Sequence, residues 1–257
     1  GRVAVVTIDD GHADVYQHIF PIARAKRIPI SLCIPTDFFF RKRWLWFDIV
    51  TWVMHHAKPT AKITLNGQEI WAENSSSFEK FKHHLKKYPP PSRAIAIQDL
   101  LRSLDLKLPS SPPDEYRALT TSELRKMLSS GLIELVGHTV THTVATALDD
   151  KDFETELRQS KEEWESFWGN PIVSFCYPNG LPGDFNERTA LAVRKSGYRC
   201  AFTSVEGTNQ ARMMDPFEMK RIHIHPRAGV CDKLVSGLAD LQNSPRLSAF
   251  FSRQRNI

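Results

Sequence analysis

Across its 257 residues the chain lacks any apolar run long enough to span a membrane, and no charged-then-apolar signal segment opens it. It has no Gly-rich phosphate loop and no nucleic-acid-binding motif. Nothing in it suggests disorder or a fibrous repeat. Its cysteines, Cys33, Cys176, Cys200 and Cys231, show no C-x-x-C spacing, and three of them sit inside apolar strand-like runs. They read as buried thiols before disulfides or zinc ligands. The absence of a signal segment leaves a cytoplasmic location open, while a finished polymer as substrate would place the chain in the cell envelope or outside the cytoplasm.

What is present is ordinary for a globular chain: 41% apolar and 25% charged residues, enough to bury a sizeable core. The formal charge of +5 is uneven, because the whole surplus falls between Arg41 and Ala118. Such a segment could meet an anionic polymer or membrane surface, although a solvated helix face explains it more simply.

The chain alternates strand and helix patterns. Val3 to Ile8 reads as a strand buried on both faces, delivering Asp9 and Asp10 to its C-terminal end. Asp14 is placed to cap a helix running to about Lys26, and Ile30–Ile34 is a second buried strand, parallel to the first. From Arg41 to Ala118 the pattern changes. Helices are predicted near 47–57, 77–88 and 92–104, with a small hairpin about Asn66-Gly67. We read 41–118 as a large helical insertion after strand two of a single 1–257 domain, its tryptophans forming its own core before any sugar-stacking wall. The rhythm then resumes with a capping box at Thr120 to Glu123 and strands at 132–136, 172–176, 198–203 and 219–225. Asn186 caps a further helix, and Lys233–Leu241 closes the chain. This order favours a (β/α) barrel or a related wound sheet.

Three strand ends carry chemistry. Successive strand side chains point opposite ways, so one of Asp9 and Asp10 could hold a metal while the other handles a proton. His138 and His142 stand at i and i+4, where both can reach one cation. With a strand-one carboxylate they make an Asp-His-His set with open positions, the layout of a catalytic metal site. Ser174 to Gly180 breaks an apolar strand into a turn at the same end, where the Tyr177 N–H could donate to an oxyanion.

Together the segments resemble the polysaccharide deacetylase family, carbohydrate esterases sharing the NodB homology domain. Thr7-Ile8-Asp9-Asp10-Gly11 matches the first motif of that family. His138-Thr139-Val140-Thr141-His142 meets the second in full, and Phe175 to Gly180 meets a looser form of the third. The resemblance implies a distorted, TIM-like (β/α)7 barrel and one divalent metal, most often Zn²⁺, held by Asp10, His138 and His142. It implies Asp9 as general base, the Tyr177 amide at the oxyanion, and substrate contacts from Tyr177, Pro178 and Asn179. The implied substrate is a glycan containing N-acetylglucosamine, and the implied reaction is removal of N-acetyl groups. An O-acetyl ester, a small amide, or non-catalytic glycan binding are the competing functions. Two family features depart. The arginine that orients the base is replaced by Ser174, and the usual acid histidine has no clean counterpart. Arg221, His223 and His225 share one face of the last predicted strand, so Arg221 is expected to stand in for the arginine and His223, then His225, for the acid.

Overall fold

The computed structural model describes residues 3–58, 62–65, 68–71, 75–210 and 214–224. Strand β1 is Val6–Asp9 and β2 is Ile30–Ile34, with helix α1, Phe20–Lys26, between them. Then come α2 (Thr36–Phe40), α3 (Trp46–His56), the hairpin strands β3 (Lys62–Leu65) and β4 (Gln68–Trp71), α4 (Ser75–Leu85) and α5 (Pro90–Ser103). The α/β alternation resumes with α6 (Thr121–Leu128), β5 (Ile133–Gly137), α7 (Asp150–Trp168), β6 (Ser174–Cys176), α8 (Glu187–Lys195), β7 (Cys200–Glu206) and β8 (Met219–Arg221). Six parallel strands, ordered β1-β2-β5-β6-β7-β8, form a curled half-barrel with helices on its outside. This is the barrel that the family resemblance implied, one of the two arrangements the alternating pattern left open, with six strands among the described residues.

Strand β2 lies inside the sheet and is buried at every residue. Its alternation sends Ile30, Leu32 and Ile34 to the main core with Leu124, Phe153, Leu157 and Trp164, and Cys33 to the opposite, concave face with Val136, Cys176 and Phe202. Strand β1 departs from expectation. Among the described residues it pairs with β2 alone, and all four of its residues are half-buried, with Val3 and Val5 exposed. The connection after it also differs: Asp14 makes no side-chain cap, and the helix opens as a wide π turn over Val15–Ile19. Pro21, which has no N–H to return to the preceding turn, sits where the coil tightens into α1. The later caps form as predicted. Thr120 and Glu123 close a capping box on α6, and Asn186 and Thr189 close another on α8.

Helices α3 to α5 make a second core of Trp46, Trp52, Phe78, Phe81, Leu85 and Ile97. Trp46 and Trp52 are buried in it, and half-buried Trp44 packs against it. Strand β8 ends at Arg221, shorter than the stretch predicted to reach His225; His225 and 233–241 lie outside the described residues.

Candidate metal centre

Two strand-end turns assemble the centre. Asp10 (φ 71°) and Gly11 (φ 79°) both take the left-handed conformation, turning the chain sharply after β1. A Cβ at Gly11 would lie 2.7 Å from Cγ1 of Ile34, so the turn can sit this close to β2 only with glycine there. After β5, Thr139 and His142 are also left-handed, a conformation that costs a non-glycine residue roughly 1–3 kcal/mol. The strain is held by surrounding groups. Glu156 of α7 accepts the Val140 N–H at 2.7 Å, the Thr141 N–H at 3.0 Å and the Thr141 hydroxyl at 2.7 Å. The N–H groups of Thr36 and Asp37, opening α2, donate to the carbonyls of Thr139 and Val140. Glu156 had no signal in the sequence beyond being one acid in an acidic helix.

The result is a buried cluster in which His142 Nε2 lies 3.2 Å and His138 Nε2 3.6 Å from Asp10 Oδ1. Ligands about 2.0–2.1 Å from one ion at tetrahedral angles stand about 3.4 Å apart, so the spacing fits a shared cation. Oδ1 of Asp10 and Nε2 of His138 are buried with no hydrogen-bond partner, which is costly unless something binds there. The His138 ring is fixed from behind by Nδ1 donating to the Cys176 carbonyl at 2.7 Å, which leaves Nε2 free to act as a ligand. Burial pushes the Asp10 carboxyl up, but His142 and His138 outweigh it and hold the group ionised. Burial lowers His142, keeping it neutral as a ligand must be.

Asp9 stands beside this set in a bidentate pair with Arg221, at 2.8 and 2.9 Å, although 212 residues separate them. Burial raises the Asp9 carboxyl; the bond from Arg221 and the charges of His138 and Arg221 override it and lower it. Arg221 is anchored in turn by the Thr203 carbonyl, the Thr7 hydroxyl and the Ser204 hydroxyl. It joins β1 and β8, the first and last strands of the sheet among the described residues, across the mouth of the half-barrel.

Other expected residues fall differently. Ser174 lies at the start of β6 with its hydroxyl 3.4 Å from Glu134, and the residue of that strand facing Asp9 is Cys176, 3.7 Å away. The Tyr177 N–H donates to the Phe202 carbonyl at 3.0 Å, continuing the β6–β7 ladder, so the oxyanion role expected of it is taken by a sheet bond. Two residues on, Asn179 is left-handed, with its Nδ2 buried and without a partner beside Pro178. His223 is exposed past the end of β8, its Nε2 3.2 Å from the Ser204 carbonyl, and is not brought to Asp9 because the strand stops two residues short.

Helices α3 to α5 supply contacts that the motifs did not signal. Asp48 pairs with His12 at 2.7 Å, beside the Asp10 turn. Trp46 Nε1 donates to the His142 carbonyl, and the Phe47 ring packs on the His142 ring at 5.1 Å. Arg93, buried, donates to the Thr143 hydroxyl at 2.8 Å, and Lys86 pairs with buried Asp184 at 3.0 Å.

The profile of the polysaccharide deacetylase family matches residues 1–201 of this chain. The chain belongs to the polysaccharide deacetylase family. YxkH of Bacillus subtilis strain 168, whose name assigns it provisionally to that family, is 25% identical over 108 residues. The match spans 42% of this chain and 37% of YxkH. Among solved structures, the Streptococcus pyogenes deacetylase PplD superposes with a TM-score of 0.54 at 16% identity, over 91% of this chain and 70% of PplD. IcaB from Ammonifex degensii gives 0.51 at 16% identity, over 93% of this chain and 72% of its own. At these identities the likeness is one of fold, and it places this polysaccharide deacetylase family member among the curled barrels.

Proposed function

We propose that the chain removes N-acetyl groups from N-acetylhexosamine units of a poly- or oligosaccharide, using one divalent ion held by Asp10, His138 and His142. The observation that carries this reading is the convergence of those three ligands beside the Asp9–Arg221 pair at one end of the barrel. Two imidazoles and one carboxylate suit zinc, and three protein ligands leave positions for substrate and water. When bound, the ion supplies Lewis acidity toward the acetyl carbonyl and activates water.

The remaining work falls to the chain's own side chains. Asp9, held ionised by Arg221, takes the proton of the attacking water; Arg221 fixes both carboxylate oxygens and so the direction of attack. Asn179, with a free buried amide N–H beside Pro178 and Tyr177, is placed to hydrogen-bond the substrate. An amine leaves only with a proton. His12, paired with Asp48 next to the Asp10 turn, is better placed to give it than exposed His223. The family relation supports deacetylation, and PplD, a deacetylase by name, shares the fold; the N-acetylhexosamine substrate is our reading of the site.

The test is acetate release from N-acetylglucosamine oligomers, peptidoglycan, capsular glycans and acetylated xylan, with metal removed and restored. Release from N-acetylated glycans that disappears with a chelator and returns with zinc is the expected result. Release from acetylated xylan alone would replace the amide with an ester, and no release from any substrate would overturn the reading.

A further inference from the structure

We propose that Asp9, Cys33 and Cys176 form a second cation site, for a soft divalent ion of the zinc and cadmium class, and that filling it inhibits the chain. The site lies on the concave face of the sheet. Asp9 and Cys33 are register partners across β1 and β2, so their side chains leave the same face side by side. Cys176 reaches that face from β6. The carboxylate oxygen and the two sulfurs all lie within 4.8 Å of one another.

The spacing suits a metal. With metal–sulfur and metal–oxygen bonds of about 2.3 and about 2.1 Å, a tetrahedral ion holds its sulfur and oxygen ligands about 3.6 Å apart. Cys176 Sγ stands 3.7 Å from Asp9 Oδ1. A disulfide is a poorer use of the pair, since β2 and β6 are separated in the sheet by β5 and bridged strands need close Cα atoms. The surroundings are soft and apolar, with Val136 and Phe202 in the same cluster and Met219 packed against it. Thiolates select for zinc or cadmium over magnesium or calcium.

The charges balance. Each thiol releases its proton to solvent as its metal–sulfur bond forms, so two thiolates and one carboxylate face a dication and the Arg221 guanidinium. Entry is past Asp9, whose side chain is 32% exposed while both cysteines are fully buried. The set contains none of Asp10, His138 and His142, so both sites can fill together. Binding follows from the geometry alone; the inhibition rests on the role proposed for Asp9, whose carboxylate an ion here would occupy.

The experiment titrates Cd²⁺ into the whole chain already loaded with one equivalent of zinc, reading metal stoichiometry, ultraviolet absorption and acetate release. The expected result is a further bound equivalent with a sulfur-to-cadmium charge-transfer band. Acetate release should fall about 100-fold or more as the band grows, the scale of losing a general base. Cys33→Ala should abolish both the band and the inhibition while keeping the first equivalent and the uninhibited rate; Cys33→Ser serves if the alanine variant does not fold. Inhibition without a sulfur band would mean exchange at the imidazole site and would overturn the proposal, as would a band that survives in either variant. If no substrate is turned over, the band and stoichiometry still test the site independently of the activity.

Discussion

The barrel and the helices packed over its mouth divide the labour unequally. Every residue of the Asp10, His138 and His142 cluster comes from a strand-end turn of the barrel, and Asp9 and Arg221 are the last residues of β1 and β8. Helices α3 to α5 give no ligand, yet they touch the turn after β1 through Asp48, the histidine turn through Trp46, Phe47 and Arg93, and the turn after β6 through Lys86. Ligand positions need the rigidity of a hydrogen-bonded sheet, since small displacements cost much at a reacting centre. Contacts that only brace or shape can be delivered by a separate small core, and here they are.

The sharpest way to break this division is to remove a barrel ligand. His138→Ala should weaken metal binding by more than about 100-fold, beyond what loss of an orienting group causes. Metal analysis of the purified variant checks it, and full occupancy would remove His138 from the ligand set. Next in size, Asp9→Asn should cut acetate release about 10²–10⁴-fold while the metal stays bound. Loss of the metal instead would exchange the roles of Asp9 and Asp10.

A bracing contact should behave otherwise. Arg93→Met keeps the bulk of the side chain but removes the bond to the Thr143 hydroxyl, which is left with its 2.6 Å bond to Thr141, and so loosens the turn that carries His142. We expect kcat to fall about 10-fold with KM little changed, the usual scale for an outer support of a metal ligand. A fall as deep as that of His138→Ala would show that α5 belongs to the site itself. Lys86→Met should leave the rate of folded protein nearly intact but cost stability. It strands Asp184, buried, without its partner, for which about 3 kcal/mol is typical, readable by urea denaturation. A variant as stable as the parent would make the α4 contact incidental.

The smallest effect is one on stability, and it concerns the pairing of His12 with Asp48. Burial lowers the imidazole, but the hydrogen bond and charge of Asp48 prevail, and its folded pKa is raised. A raised folded pKa means stability that is fully present below the unfolded value of about 6.5 and is lost as pH climbs through the folded value. The Tm difference between the parent chain and His12→Gln should therefore be largest in mild acid and shrink in alkali. A difference that does not vary with pH would rule out a charged pair.

Local rules made much of the fold legible. Thr120 and Glu123, or Asn186 and its third neighbour, announce a helix start because the cap is satisfied within four residues. The unbroken apolar run of β2 announces a strand covered on both sides. The same reasoning overreached at Val3 and Val5. Apolar content cannot tell an edge strand from a central one, and among the described residues β1 has one neighbour. It overreached again at His223, where alternation was carried past the point at which β8 stops pairing.

By itself the sequence determined the alternation of elements and the two strand ends that bear acids and imidazoles, because periodicity, caps and residue type act within a few residues; the choice of a barrel over a wound sheet came from the resemblance of its motifs to the family. The Arg221–Asp9 pair, expected from the sequence, forms across 212 positions, but only the tertiary structure decided that His223 falls away from Asp9, that Cys33 and Cys176 meet beneath that carboxylate, and that Glu156 clasps the histidine turn. These are contacts across the curl of a sheet, where distance along the chain carries no information and the register of parallel strands fixes which side chains face one another.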